Sequence, residues 1–131
     1  MKQKGFTLLE LVVVVAIVGI LAALAIANYS VFKTNAYNTT AAVDCRNIMP
    51  AADFASSNPA VPNINITLDG SGGPVDLVNL PGASSSPGTF GTIDVQKNPA
   101  QYQVKTYSVR GDLCYSVTNG GPMLITAGVC T

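Results

Sequence analysis

Histidine and tryptophan are absent from this 131-residue chain, and only 11% of its residues are charged. The lack of histidine excludes His-based nucleophilic triads and most zinc sites. Charge of either sign is scarce: seven Lys and Arg balance seven Asp and Glu, for a formal net charge of zero. Nucleic-acid binding rests on phosphate neutralisation by clustered basic groups, so no specific nucleic-acid partner is in view. Cysteine is limited to Cys45, Cys114 and Cys130, too few for a disulfide scaffold but enough for one bridge. No two carboxylates stand close in sequence for acid–base work, and no nucleophile has a base beside it. The sequence reads as a protein that is not an enzyme and calls for no cofactor or metal. At this length it holds one domain at most, with an appended segment.

What is present is concentrated at one end. Between Phe6 and Ala27, 19 of 22 residues are apolar, whereas from Asn28 onward the count is 43 of 104. As a helix, Phe6 to Ala27 would be about 33 Å long, close to the roughly 30 Å hydrocarbon core of a bilayer. Lys2 and Lys4 on its short N-terminal side favour keeping that end in the cytoplasm. A plain membrane anchor fits. So does a secretory signal peptide, with Ala25-Ile26-Ala27 as a small-x-small cleavage site and a soluble binding module released after Ala27. Against the signal peptide stand the length of the apolar run, Glu10 near its start, and a helical pattern that continues past Ala27.

Glu10 separates these readings. An ionisable group in a membrane span costs roughly 2.5–3.5 kcal/mol on insertion scales and points to a partner. The span holds no Lys or Arg. A newly exposed α-amino group would serve, if the chain were cut just ahead of the span. Gly5-Phe6, where a small, flexible residue follows a basic leader, is such a place.

These residues carry a resemblance. Lys4-Gly5-Phe6-Thr7-Leu8-Leu9-Glu10, followed by the apolar run from Leu11 to Ile26 with Gly19 inside it, resembles the N-terminus of type IV pilins and the related pseudopilins. The resemblance covers about the first 50 residues. It implies a leader of residues 1–5 removed by a prepilin peptidase after Gly5, with N-methylation of the new terminus, Phe6. It implies that Glu10 neutralises the amino terminus of a neighbouring subunit as a homo-oligomeric helical filament assembles. The lipid bilayer and the assembly machinery of the bacterial inner membrane are then the earlier partners, and the cell surface is the destination. A minor pilin and a pseudopilin of a secretion system fit the same motif. Many family members have proline where this chain has Ala27, so no proline breaks the helix there. Gly19 is the weakest helical position within the span.

Beyond the span, residues 28–55 continue as an amphipathic helix. Ala41, Cys45, Ile48, Ala52 and Ala55 recur at steps of four and three and define one apolar stripe, with Asp44, Arg46 and Asn47 off it. Pro50 predicts a kink or an end near Met49. Residues 56–91 hold five of the eight prolines and six glycines, and read as a loop-rich connector with one or two short strands around Ile64 to Leu68 and Val75 to Leu80. Gly82 to Gly88 reads as a solvent-exposed loop. Residues 92–131 turn to β. Strands are expected over Tyr102 to Val109, Leu113 to Thr118 and Met123 to Thr126, with Thr92 to Val95 as a fourth element. The fold class is α+β: a long N-terminal α-helix, half transmembrane and half amphipathic, packed on a small antiparallel sheet, as in type IV pilins.

Cys114 and Cys130 lie sixteen apart in the sheet region. A bridge between them would stabilise by about 3 kcal/mol in the chain-entropy model, and type IV pilins have a similar C-terminal disulfide loop. Two unpaired thiols, or a pairing of Cys45 with either, are the alternatives. Cys45 on the apolar stripe is most simply a buried small hydrophobe. Tyr29, Phe32 and Tyr37 cluster beyond the span, where aromatics belt a membrane boundary, and in a filament such rings from successive subunits would approach one another. Arg110-Gly111-Asp112 reads as a hairpin turn. Asn38-Thr39-Thr40 and Asn65-Ile66-Thr67 fit the glycan-acceptor pattern.

Overall fold

The computed structural model describes residues 5–76 and 78–130, so the expected leader lies outside the described residues apart from Gly5. The chain divides between Lys33 and Thr34 into two compact units, and one helix, α1 (Leu8–Ser57, 50 residues), passes through both. In the first unit the helix is exposed along its whole described length, with Leu8 at 80% and Ile26 at 73%. Among the described residues it is the one helix long and apolar enough to cross a membrane. Continuous Leu, Val, Ile and Ala suit a helix that satisfies every backbone group internally while presenting apolar side chains all round.

From Thr34 onward α1 is one-sided. Ala41, Cys45, Ile48, Ala52 and Ala55 are each 0% exposed, so the predicted stripe is the face that meets the sheet. The helix does not stop near Met49, however, and continues to Ser57 with Pro50 inside it. Pro50 and Arg46 are both exposed, so the i→i−4 bond that proline cannot make is missing on the exposed side of the helix, while Ala51, Ala52 and Ala55 anchor the following turn. Asp44 also differs from its reading as an off-stripe residue: it is buried, as is Asn38.

The sheet has five antiparallel strands in the order β1 (Ile64–Asp69), β4 (Thr89–Lys97), β5 (Ala100–Ser108), β6 (Leu113–Thr118), β7 (Leu124–Ala127). A separate two-stranded ribbon joins β2 (Gly73–Asp76) and β3 (Leu80–Ser85). Period-2 alternation selects the inner face: Ile93 pairs with Val104 and Val104 with Val117, all buried against the helix. The Thr106 hydroxyl, fully buried on that face, donates to the Ala41 carbonyl at 2.7 Å.

Residues 56–91 are more ordered than a connector. β1 pairs with β4 along its full length, from Ile64 opposite Val95 to Asp69 opposite Phe90, and buries Ile64 and Leu68. The stretch from Gly82 to Gly88, expected as an exposed loop, begins in β3 with Ala83 buried, and its Ser86 is tied down. The tie is Asp44, whose carboxylate accepts from the Ser86 N–H (2.8 Å), the Ser86 hydroxyl (2.9 Å) and the Thr89 hydroxyl (2.5 Å). At the far end of α1, the Lys97 ammonium donates to the carbonyls of Ala55, Ser56 (3.4 Å) and Asn58 (2.7 Å). A cation from the β4–β5 hairpin thus meets the unsatisfied C-terminal carbonyls and the negative end of the helix dipole.

Candidate functional site at the N-terminal helix start

Gly5, Phe6 and Thr7 precede the helix in non-helical conformation. Thr7 and Glu10 form a reciprocal cap. The Thr7 N–H and hydroxyl each donate to Glu10 Oε2 at 3.0 Å, and the Glu10 N–H donates to the Thr7 hydroxyl oxygen at 3.2 Å. This is a capping box, which satisfies donors that a helix start leaves without partners and places a carboxylate at the positive end of the dipole. Thr7 is the residue that sequence reading missed, although the T-x-x-E signature ahead of an apolar run was available to find it. Glu10 therefore has a partner within its own chain.

Phe6 is 84% exposed. A Cβ added at Gly5 or at Gly19 would meet nothing within 4 Å, so neither glycine is required by packing among the described residues. The aromatic residues make separate contacts. Tyr29 has the Lys33 ammonium 6.0 Å from its ring centroid, one turn along, and Phe32 is 71% exposed. Tyr37, in the second unit, stacks against the Arg110 guanidinium at 5.6 Å and accepts a hydrogen bond from it at 2.9 Å.

Arg110-Gly111-Asp112 is the β5–β6 turn, and it is clamped by Asn38. The Asn38 amide nitrogen donates to the Asp112 carboxylate at 2.6 Å, while its oxygen accepts from the N–H groups of Asp112 (3.0 Å) and Leu113 (3.3 Å). A Cβ on Gly111 would come within 2.3 Å of that oxygen, so glycine is needed for the approach. With its side chain buried and occupied, Asn38 does not fit as a glycan acceptor, whereas Asn65 is exposed on edge strand β1.

Cys114 and Cys130 form a disulfide with Cα atoms 5.2 Å apart, and Cys45 is free and buried. The Cys45 thiol points to the Tyr115 carbonyl at 4.0 Å, and burial pushes its pKa up, which makes it a packed apolar group rather than a nucleophile. Asp69 and Asp76 have carboxyls held below their usual range, Asp69 by the side chain and N–H of Ser71, and Asp76 by the N–H and side chain of Asn79. Both close local turns. Among the described residues no group of three His, Cys, Asp or Glu could hold a metal ion.

Residues 1–26 match the family described as the prokaryotic N-terminal methylation motif. Two fimbrial proteins of Pseudomonas aeruginosa are each 47% identical over 53 residues, covering 40% of this chain and 34% of theirs. Fimbrial protein EcpB of Eikenella corrodens is 35% identical over 69 residues, 53% of this chain and 43% of that protein. The N-terminal part of the chain is thus similar to that methylation motif and to the N-terminal part of fimbrial proteins. Its similarity to these fimbrial proteins spans between a third and a half of their length, and no solved structure matches. For this pilin-like chain, the matched motif coincides with the exposed apolar helix and its Thr7–Glu10 cap.

Proposed function

We propose that this chain is a structural subunit of a type IV pilus. It would be stored in the bacterial inner membrane with its N-terminus cytoplasmic, cut after Gly5, N-methylated at Phe6 and polymerised through its apolar helix. The observation that carries this reading is the juxtaposition of the methylation motif with a helix apolar on every side and exposed throughout its first half. Such a surface requires lipid or like helices around it. Packing among the described residues asks for no glycine at position 5, which supports a demand for a small residue that comes from the peptidase. The new amino terminus of a neighbouring subunit would be drawn to the carboxylate that Thr7 already orients. Removal of Lys2 and Lys4 leaves five basic against seven acidic side chains, a mature side-chain charge of −2.

Intact-mass and N-terminal analysis of protein from native membranes or shed filaments tests the processing step. The expected start is N-methylated Phe6; a start at Asn28 would mean a secreted module and end the filament reading. Glu10→Ala is expected to reduce filament yield strongly, because an unpaired buried amino terminus is costly, while membrane insertion and leader cleavage persist. Normal filament yield from that variant would remove Glu10 from the assembly role.

A further inference from the structure

β7 differs from every other strand of the five-stranded sheet. All four of its side chains are exposed, Leu124 by 61% and Ile125 by 56%, whereas neighbouring β6 buries Cys114, Tyr115 and Val117. Among the described residues the core contains none beyond Val117, and from the terminal segment Met123 alone packs partly against it. What holds β7 is therefore not burial. It pairs with β6 from Leu113 opposite Ala127 to Ser116 opposite Leu124, the Gly128 N–H donates to the Asp112 carbonyl at 2.7 Å, and the disulfide ties Cys130 to Cys114 inside β6. Backbone ladder bonds at an exposed edge open readily, because water replaces them. The covalent link is the attachment without such a substitute.

We infer that the Cys114–Cys130 bond is a redox clasp on a detachable edge strand: a dithiol that reduces it releases β7 alone and leaves the helix, β1, β4, β5 and β6 packed. The dithiol's thiolate attacks Cys130 Sγ, the half-buried sulfur, and Cys114 leaves as a thiolate that takes up a proton. The reductant's second thiol then displaces Cys130 from the mixed disulfide, so the reductant ends as a disulfide and both protein cysteines as thiols. Release uncovers the β6 edge, where Leu113 to Ser116 would present unpaired ladder groups to an added strand. Cys45 takes no part, since it is packed in the helix face beneath the opposite side of the sheet.

Hydrogen exchange read by mass spectrometry on the full-length chain in detergent micelles, before and after dithiothreitol, tests the clasp. Residues 124–128 are expected to lose protection by about 100-fold, the factor that closing a loop of this length supplies, while β4 and β5 change by no more than about threefold. The inference falls if β7 keeps its protection after reduction. It falls equally if β4 and β5 lose protection together with β7, or if the bond resists the dithiol until the whole domain unfolds. Cys130→Ser without reductant should reproduce the selective loss, and its failure to do so in a folded protein would also overturn the clasp.

Discussion

Asp44 is a single carboxylate on which three donors from the β3–β4 turn converge, and it sits 3% exposed against the sheet. Hydrogen bonds to a charged acceptor contribute about 1.5–3 kcal/mol each, and deleting the acceptor leaves buried donors unsatisfied. Asp44→Ala is therefore expected to destabilise the fold by about 3 kcal/mol, with Asp44→Asn losing less because its amide oxygen still accepts on one side. Urea denaturation of the oxidised protein measures both, and equal midpoints for Asp44→Ala and the parent would contradict the role. Sequence alone could not show this role, because Ser86 and Thr89 lie 42 and 45 residues away. The Asn38–Asp112 clamp was hidden by the same distance, spanning 74 residues. The Thr7–Glu10 cap spans three, and a fixed local spacing of that kind was legible.

Among the elements, α1 shows what periodicity can and cannot say. Its buried stripe was readable because steps of three and four follow from helix geometry. What periodicity left open was whether Pro50 kinks or ends the helix; α1 runs through Pro50 to Ser57, with the turn after it packed and a cap supplied from β4. The stem of Lys97→Met would fill the same space without the ammonium, so this variant isolates the cap. It is expected to fray the last turn at a cost of about 1 kcal/mol. Faster amide exchange over residues 54–58, roughly fivefold, with no change in β5 or β6, is the signature. Unaltered exchange there would mean that Lys97 is not what holds the helix end. Strands β4 and β5 alternate buried and more exposed side chains along their length, whereas β7 buries none of its four. β1 alternates too, but pairing Ile64 with Val95 is a long-range choice that no local pattern fixes. The density of proline and glycine in residues 56–91 suggests a connector with one or two short strands, yet Pro74, Pro81 and Gly82 lie inside β2 and β3 themselves.

At the scale of the whole molecule, the division between Lys33 and Thr34 separates two kinds of stability. In the first unit no described residue before Lys33 is buried or half-buried, so within this chain the segment gains nothing from a core. In the second, the helix face from Asn38 to Ala55 and the inner sheet face enclose a core of their own. Each buried contact that α1 makes belongs to its part beyond Thr34. A chain of residues 34–131 is therefore expected to fold alone, as a monomer with the Cys114–Cys130 bond formed and Cys45 shielded from alkylation until denatured. The full-length chain should instead require detergent or membrane. Gel filtration, circular dichroism and thiol titration of the truncated protein check this. A truncated protein that aggregates or leaves Cys45 reactive would mean that the core draws on the first unit. If it folds as expected but enters no filament, the roles divide at Lys33: fold stability resides in residues 34–131, and the capacity to assemble resides in the apolar helix with its capped Glu10.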